Sequence, residues 1–371
     1  MSAHFTAPRR RSRIVAALAL AASMALIGVL ARPNPPSLST HLTGDPALAA
    51  QVRPHLQGAL DRVSVASIDG DTVTYAHFGA TNDTEYEIGS ITKTVTSLLL
   101  ADAIARGEVS ADTKVGDLLR LAGAAVADVS LAELASHRSG LPLVATRRQD
   151  LVPLYLRAVT HRNPYIQDVD GVIARARAAT LSHRGQFAYS NLGGALLGHA
   201  LVSASNMDYA RLVQERIFGP LGMTASSVPV TDGDLPDDAP TGYSVTGRSE
   251  APWAMNGWAP AGGIRSTPVD MVRYAQALLV GSAPGSDALT PRWASGLDAF
   301  APRWASAEQH VGYAWFTEEI GGRTVTWHDG GTAGFASIIV LDRANHRAVI
   351  ILSNTNASVN EAGIALMLGE G

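Results

Sequence analysis

Residues 63–78 read VSVASIDGDTVTYAHF, two runs in which apolar and polar residues roughly alternate on either side of Asp69-Gly70-Asp71. Alternation interrupted by a short Asp/Gly turn is typical of a β-hairpin, so we predict strands at Val63–Ile68 and Thr72–Phe78. Near the other end of the chain, three more short apolar runs have the composition of strands: Thr324–Trp327, Ser337–Leu341 and Ala348–Leu352.

The stretch between these strands has the spacing of helices. Apolar residues recur at helical intervals in Thr94–Arg106, Ala195–Ser203 and Val269–Val280, whereas Thr231–Pro240 and Gly281–Ser306 have the composition of loops. Two strands first and three last predict a mixed α/β (α+β) fold, with one antiparallel sheet assembled from about residues 60–80 and 320–355 and flanked by helices. The helical region is then an insertion in a discontinuous domain.

The composition excludes several classes of site. The chain has 371 residues, of which 46% are hydrophobic and 17% charged, as in a folded globular protein. It has no cysteine, which excludes a disulfide, a thiol nucleophile and a Cys-ligated zinc site. It also has no His-Glu-x-x-His, so we expect no metal and no cofactor. A formal net charge of −4 argues against a nucleic-acid partner.

The first 31 residues have the pattern of an export signal. Four arginines, the last of them Arg13, precede the uncharged apolar run Ile14–Ala31, which ends at Arg32 and Pro33. A run of this length is long for a cleaved signal peptide and just long enough for a membrane anchor. We therefore predict an exported, extracytoplasmic protein. Residues 1–31 are either a signal peptide cleaved near Ala31 or an anchor in the cytoplasmic membrane, and residues 32–371 form the folded domain.

A serine and a lysine open the first helical run, in the stretch Glu87-Ile-Gly-Ser-Ile-Thr-Lys93. Ser90 lies at the predicted helix N-terminus and Lys93 one turn further on the same face, which puts an amine beside a hydroxyl. A lysine buried there has a lowered pKa and can take the serine proton, and the helix start offers a backbone N–H to an oxyanion. The alternative is that Ser90 caps the helix and Lys93 is a solvated charge.

Lysine usage favours the first interpretation. Of the 29 basic residues only Lys93 and Lys114 are lysines, so arginine supplies nearly all of the positive charge. A lysine retained in such a chain is expected to do what arginine cannot, which is to lose its proton.

Two further motifs carry polar groups that suit the same chemistry. Tyr189 and Asn191 lie two residues apart just before an apolar helix, where Tyr189 can shuttle a proton and Asn191 can bind a substrate amide. The alternative is a helix-entry turn with a buried aromatic and a capping Asn. His328-Asp329-Gly330-Gly331 follows a predicted strand, where substrate can lie against exposed backbone and the Gly331 N–H can be a second oxyanion donor. Alone, His328 is equally explained as a satisfied polar residue.

Together, the three motifs resemble those of the penicillin-recognising serine hydrolase superfamily. Ser90-x-x-Lys93, Tyr189-x-Asn191 and His328-x-Gly330 occur in its order and with similar gaps, over about Val63–Asn354. The supporting stretches are Leu134–Pro142, Pro220–Met223 and Ala261–Thr267. The branch resembled contains D-Ala-D-Ala carboxypeptidases, class C β-lactamases and β-lactamase-like esterases.

The resemblance implies a β-lactamase/transpeptidase-like fold and a role for each matching residue. Ser90 would be the acylated nucleophile, with Lys93 and Tyr189 handling its proton. Asn191, His328, Gly330 and Gly331 would bind the substrate, and the Ser90 and Gly331 amides would form the oxyanion hole.

One position departs from the family pattern. The third motif of β-lactamases usually carries Lys and then Thr, where this chain has His328 and Asp329. A carboxylate at the second place would repel an anionic substrate carboxylate, which favours neutral ester or amide substrates over efficient β-lactamase activity. This argument requires Asp329 to face the cleft.

Two functional hypotheses remain. The first is an exported serine hydrolase acting through a Ser90 acyl-enzyme on a small-molecule or peptide acyl donor: a D-alanyl-D-alanine carboxypeptidase-like peptidase or an esterase, with a class C-like β-lactamase as alternative. The second is a non-catalytic cell-wall or peptide-binding protein on the same scaffold. An α/β-hydrolase is disfavoured because the chain has no Gly-x-Ser-x-Gly elbow.

Overall fold

The hairpin expected at residues 63–78 is present in the computed structural model, which describes residues 33–296 and 309–370. Its two strands pair antiparallel from Val63 with Phe78 to Asp69 with Thr72. The three C-terminal strands are also present, each longer than its apolar run. The largest difference is in the first of them, which continues through the histidine and the glycines to Gly331.

Thirteen strands occur in the part of the chain that the structure describes. They are β1 (Leu42–Gly44), β2 (Val63–Asp69), β3 (Thr72–Phe78), β4 (Tyr86–Glu87), β5 (Gly242–Tyr243), β6 (Ser249–Glu250), β7 (Arg265–Ser266), β8 (Trp293–Ala294), β9 (His310–Val311), β10 (Phe316–Ile320), β11 (Arg323–Gly331), β12 (Ala336–Asp342) and β13 (Arg347–Ser353).

Nine of these strands form one antiparallel sheet, in the order β1-β3-β2-β13-β12-β11-β10-β9-β8. The N-terminal hairpin joins the C-terminal strands through β13, which pairs with β2 from Arg347 with Asp69 to Ser353 with Val63. The sheet is therefore built from both ends of the chain, as the sequence predicts. Two short pairs, β4 with β7 and β5 with β6, lie outside it.

Twelve α-helices occur among the same described residues. They are α1 (Pro46–Val52), α2 (Thr92–Ala105), α3 (Val115–Leu118), α4 (Leu131–Ala135), α5 (Leu151–Val159), α6 (Val169–Ala178), α7 (Asn191–Ser205), α8 (Tyr209–Val213), α9 (Gly219–Leu221), α10 (Ala259–Gly262), α11 (Pro268–Leu279) and α12 (Asn360–Leu368). Most of them lie in the inserted region between β4 and β8.

Helices cover both faces of the sheet, because successive side chains of each strand point to opposite faces. On β12, Ile339 and Leu341 belong to the larger core, which contains the apolar residues of α2, α7 and α11. Ile338 and Val340 belong to the second core, which is closed by α1 and α12. The result is a layer of helices, a sheet and a second layer of helices.

The segments expected to be loops contain short regular elements. Thr231–Pro240 includes a 3₁₀ turn at Asp232–Asp234, and Gly281–Ser306 includes a turn at Ser286–Leu289 and strand β8. Residues 297–308 of the second segment lie outside the described residues.

The predicted export segment, residues 1–31, also lies outside the described residues. By its internal contacts the chain divides into Met1–Pro35 and Pro36–Gly371, and all the elements named here belong to the second unit. Over residues 33–296 and 309–370, none of the helices combines the length and the apolar character that crossing a bilayer requires.

Candidate active site

Ser90 lies in a 3₁₀ turn, Gly89–Ile91, immediately before helix α2. No side chain caps this turn or the helix that follows, so the structure does not show Ser90 as a helix cap. Its Oγ instead lies 2.9 Å from the Nζ of Lys93, one turn further along. The two residues therefore meet as their spacing predicts.

Lys93 is buried, with 3% of its surface exposed. Its amine donates to Ser90 Oγ and, at 2.6 Å, to the backbone carbonyl of Ala261 in α10. Burial lowers the pKa of Lys93 from 10.5 to about 7, against the opposing effect of the Asp329 charge. A substantial fraction of the amine is therefore neutral near pH 7 and able to accept a proton.

Tyr189 reaches the same serine from the segment before α7. Burial raises the pKa of Tyr189, and the nearby Ser90 side chain opposes that rise. The Nζ of Lys93 lies 4.9 Å from the centre of the tyrosine ring. Ser90, Lys93 and Tyr189 thus form one contiguous group in which the phenol keeps its proton at neutral pH.

A histidine that the sequence analysis did not single out supports Tyr189 from behind. The ring of His137 stacks on Tyr189, with 4.3 Å between centroids and 30° between planes. Its Nδ1 accepts from the Ser190 N–H at 3.2 Å, which leaves the proton of the neutral ring on Nε2. Burial, and secondarily the charge of Lys93, holds the pKa of His137 well below its usual value. His137 is therefore an uncharged packing partner.

The end of strand β11 lies beside the Ser90 turn. The Thr332 N–H donates to the Phe335 carbonyl across the β11–β12 turn, at 3.0 Å. Because successive N–H groups of a strand point to opposite edges, the Gly331 N–H faces the other edge of β11. The pairing of β10 with β11 ends at Trp327, so among the described residues no strand covers that edge from His328 to Gly331.

Two glycines allow the Ser90 turn and β11 to touch. Gly89 has φ +51°, and a Cβ there would lie 2.6 Å from the Gly331 nitrogen. At Gly330 a Cβ would lie 2.0 Å from the Ile88 carbonyl oxygen. Both separations are shorter than any van der Waals contact, so only glycine permits this approach. It holds the backbone at Gly331 against the turn that contains Ser90, as a pair of oxyanion donors from the two segments would require.

His328 and Asp329 point in opposite directions, since they are neighbours within β11. His328 is fully buried, and its Nδ1–H donates to the Asp329 carbonyl at 2.5 Å. Burial lowers the pKa of His328 to about 4, although the Asp329 charge opposes this change. Its ring lies 6.4 Å from that of Tyr189. His328 is therefore a neutral residue behind the site, not among the residues that line the cavity.

Asp329 takes the position that faces the cavity. It lines the cavity together with Ser90, and its Oδ2 accepts from Asn360 Nδ2 of α12 at 2.8 Å. Asp329 therefore faces the cleft, as the repulsion of a substrate carboxylate requires. Its charge acts on Lys93 and Tyr189, in both cases by raising the pKa.

Asn191, like His328, is a predicted substrate-binding residue that does not line the cavity at Ser90. It is the first residue of α7, and its Nδ2 lies 3.3 Å from the Tyr165 hydroxyl. Its Oδ1 is buried without a hydrogen-bond partner among the described residues. One arm of the amide is thus free for a further partner.

A cavity of about 360 Å³ opens at Ser90. Its walls are largely aromatic, and its lining residues are Ser90, Phe187, Tyr189, Gln309, Phe316, Trp327, Asp329, Gly330 and Gly331. Phe187, Phe316 and Trp327 come from three separate segments, and sequence alone gives no signal that they meet. Trp258 is not among these lining residues and is buried in the larger core.

A buried ion-pair cluster supports the strand that leads into the Ser90 turn. Strand β4 leads directly into the turn and pairs with β7, so that Glu87 lies opposite Arg265. The guanidinium of Arg265 is fully buried and contacts Glu87 at 3.0 Å and Glu85 at 2.5 Å. Because a buried charge without its partner is costly, this pairing fixes the approach to Ser90.

The comparisons with known proteins agree with this geometry. The family described as Beta-lactamase matches residues 48–368. The chain is 27% identical over 368 residues to "Unguisins hydrolase ungD'" of Aspergillus campestris, covering 88% of this chain and 65% of that protein. It is 30% identical over 234 residues to the D-alanyl-D-alanine-carboxypeptidase/endopeptidase AmpH of Escherichia coli K12, covering 58% of this chain and 57% of that protein. The chain thus spans less than two thirds of either relative.

Solved structures share the fold over nearly the whole chain. A class C β-lactamase from Rhodobacter sphaeroides has a TM-score of 0.69 at 22% identity, covering 88% of this chain and 98% of its own. The D-alanine carboxypeptidase AmpC from Burkholderia cenocepacia has 0.69 at 22%, covering 86% and 97%. A D-stereospecific amidohydrolase from Streptomyces sp. has 0.71 at 21%, covering 88% and 99%. Because the family model matches residues 48–368, which is most of this chain, the chain belongs to the Beta-lactamase family.

Proposed function

We propose that this protein is an exported serine hydrolase that forms an acyl-enzyme at Ser90, acting as a D-alanyl-D-alanine carboxypeptidase-like peptidase or an esterase. The observation that carries the proposal is the 2.9 Å contact between Ser90 Oγ and the buried amine of Lys93. A serine hydroxyl is a poor nucleophile until a base takes its proton, and a lysine with a pKa of about 7 can serve as that base.

The reaction follows from the positions of the groups. Ser90 Oγ attacks the acyl carbonyl while neutral Lys93 accepts its proton. The carbonyl oxygen becomes an oxyanion between the Ser90 and Gly331 amides. Tyr189, whose raised pKa keeps it protonated, donates to the leaving group and is reprotonated from Lys93. Water then cleaves the ester at Ser90 in the reverse sense.

The walls of the cavity favour neutral acyl donors. Aromatic side chains supply apolar surface, and the carboxylate of Asp329 faces the bound molecule. A substrate carboxylate at that place would meet like charge, whereas a neutral ester or amide would not. A carboxypeptidase substrate would therefore have to hold its terminal carboxylate away from Asp329. Proteins named as a carboxypeptidase and a D-stereospecific amidohydrolase share the fold, which supports acyl donors with a D-residue.

The test is an intact-mass time course with benzylpenicillin and with small p-nitrophenyl esters. We expect an acyl adduct or ester turnover in the wild-type protein, and neither in Ser90→Ala or Lys93→Arg. Ser110→Ala, at an exposed serine, is the control and should behave as wild type. Wild-type turnover in Ser90→Ala or Lys93→Arg would refute the mechanism.

The same experiment separates the remaining alternatives. A persistent penicillin adduct favours the carboxypeptidase reading, and an adduct that clears with drug consumption indicates a β-lactamase. Ester cleavage without an adduct indicates an esterase. If neither substrate reacts, the result favours the non-catalytic binding protein.

A further inference from the structure

Helix α5, Leu151–Val159, presents its apolar side to solvent. Five residues, which we call the apolar face, are 48 to 67% exposed: Leu151, Val152, Tyr155, Leu156 and Val159. At 100° per residue they fall within an arc of about 140°, so they form one stripe. Leu154 and Arg157, on the other side of the helix, are the half-buried ones. Surface helices normally have the opposite arrangement, which marks this stripe as a contact surface.

The segment of sequence that contains the apolar face carries a net positive charge. Residues 141–166 contain four arginines and one aspartate, a formal charge of +3 in a chain whose total is −4. The aspartate, Asp150, is already paired with the buried Arg175 at 2.7 Å. Arg148 and Arg162 flank the helix and are exposed, and neither makes an ion pair within the described residues.

The apolar face and the flanking arginines together indicate what α5 binds. An exposed apolar stripe flanked by arginines is the pattern of a helix that lies in the surface of a bilayer, where its apolar side enters the acyl boundary and its arginines contact anionic headgroups. A second copy of this chain fits poorly, because two-fold symmetry would set the same cluster of arginines against itself. We propose that α5 docks this protein on anionic phospholipid membranes.

The segments on either side of α5 contact Asn191, at the edge of the candidate active site. The segment before α5 accepts the Asn191 N–H at the Leu143 carbonyl, at 3.0 Å. The segment after it holds the Asn191 side chain through Tyr165. Asn191 is the first residue of α7 and follows Tyr189 by two positions. The apolar face and the site are therefore joined through the start of one helix.

Because the sequence has no cysteine, a single introduced cysteine can be labelled at a chosen position to test the proposal. In the full chain, Tyr155→Cys and Val280→Cys are labelled separately with an environment-sensitive fluorophore. Both parent residues are 67% exposed, and Val280 follows α11, far from α5 in sequence. Each protein is mixed with phosphatidylcholine vesicles with and without phosphatidylglycerol. The apolar run Ile14–Ala31 can hold either protein on a vesicle. The test is therefore the difference between the response of the probe at 155 and that of the probe at 280.

We expect the Tyr155→Cys probe to shift to shorter wavelength with phosphatidylglycerol vesicles at low salt, and the Val280→Cys probe to stay unchanged. Arg148→Gln with Arg162→Gln should weaken the docking of α5 about 30-fold and so reduce the phosphatidylglycerol-dependent shift, also in protein that residues 14–31 hold on a vesicle. Equal melting temperatures of the labelled proteins exclude misfolding. The proposal fails if the probe at 155 does not respond, if both positions respond alike, or if the arginine variant is unchanged. A probe that responds to protein concentration without vesicles would identify a second copy instead.

Discussion

Replacing Lys93 by methionine should stabilise this protein at low pH, because the folded state holds the lysine where its charge is costly. The side chain is buried, and its pKa falls from 10.5 to about 7. That change corresponds to about 5 kcal/mol between the charged and the neutral form. Methionine has a similar length and carries no charge, so Lys93→Met removes this cost.

The sign of the pH dependence follows from proton binding. Above about pH 7 the folded state releases the lysine proton while the unfolded chain keeps it up to about pH 10.5, so the free energy of unfolding rises with pH in this window. Below it, the wild-type protein bears the full cost. Methionine also loses the two hydrogen bonds to Ser90 and Ala261, about 1 kcal/mol each. We expect Lys93→Met to be about 3 kcal/mol more stable than wild type near pH 6 and about 1 kcal/mol less stable near pH 10.

Equilibrium urea unfolding at both pH values measures this difference. Lys114→Met, at the exposed second lysine, is the control and should change the free energy of unfolding by less than about 0.5 kcal/mol at either pH. A Lys93→Met protein that is less stable than wild type at pH 6, or a difference that does not depend on pH, would show that Lys93 is not held in a costly charged state.

The remaining predictions concern the same site. The pH profile of kcat/KM should rise with a midpoint near 7, where Lys93 becomes neutral; a flat profile from pH 5 to 9 would exclude it as the base. Asp329→Asn removes the charge that raises the pKa of Lys93, so it should move this midpoint to lower pH. A midpoint moved upward would contradict this effect of the Asp329 charge. Gly330→Ala should cost about 1–3 kcal/mol of stability and most of the turnover, because its Cβ would overlap the Ile88 carbonyl. Gly331→Ala, whose Cβ has no neighbour nearer than 4.0 Å, should melt like wild type; equal melting temperatures in the two variants would refute the steric argument.

The strands were the best-predicted part of the fold, and their ends the worst. β2 and β3 roughly alternate on either side of a clear turn, and both were predicted to within one residue. β11 was expected to end at Trp327 because glycines are uncommon in strands, yet it continues to Gly331. The reason is tertiary: Gly330 has a low strand propensity but is required by the approach of Ile88. β10 was missed because its sequence, FTEEI, has no alternation.

For the candidate site, sequence spacing predicted the local contact between Ser90 and Lys93. It did not predict contacts between residues that are distant in the sequence, some of which only the family resemblance implied. Ser90 and Lys93 meet because a helix brings residues three apart together. The stack of His137 on Tyr189 depends on a loop geometry that no short-range pattern encodes. Asn256–Trp258 forms a 3₁₀ turn that leads into α10 and holds Trp258 in the larger core, a position that no short-range pattern indicates.

The position of β13 between β2 and β12 bears on the order of events during biosynthesis. The ribosome produces Ser90 before the inserted helical region, but Gly331 and the strand that joins the hairpin to the rest of the sheet come after it. Pairing between such distant segments is slow, whereas the inserted helices form from local contacts. A nascent chain therefore carries its serine long before the facing amide is in place. Under the proposed mechanism, no acyl transfer can begin until translation of the sheet is complete.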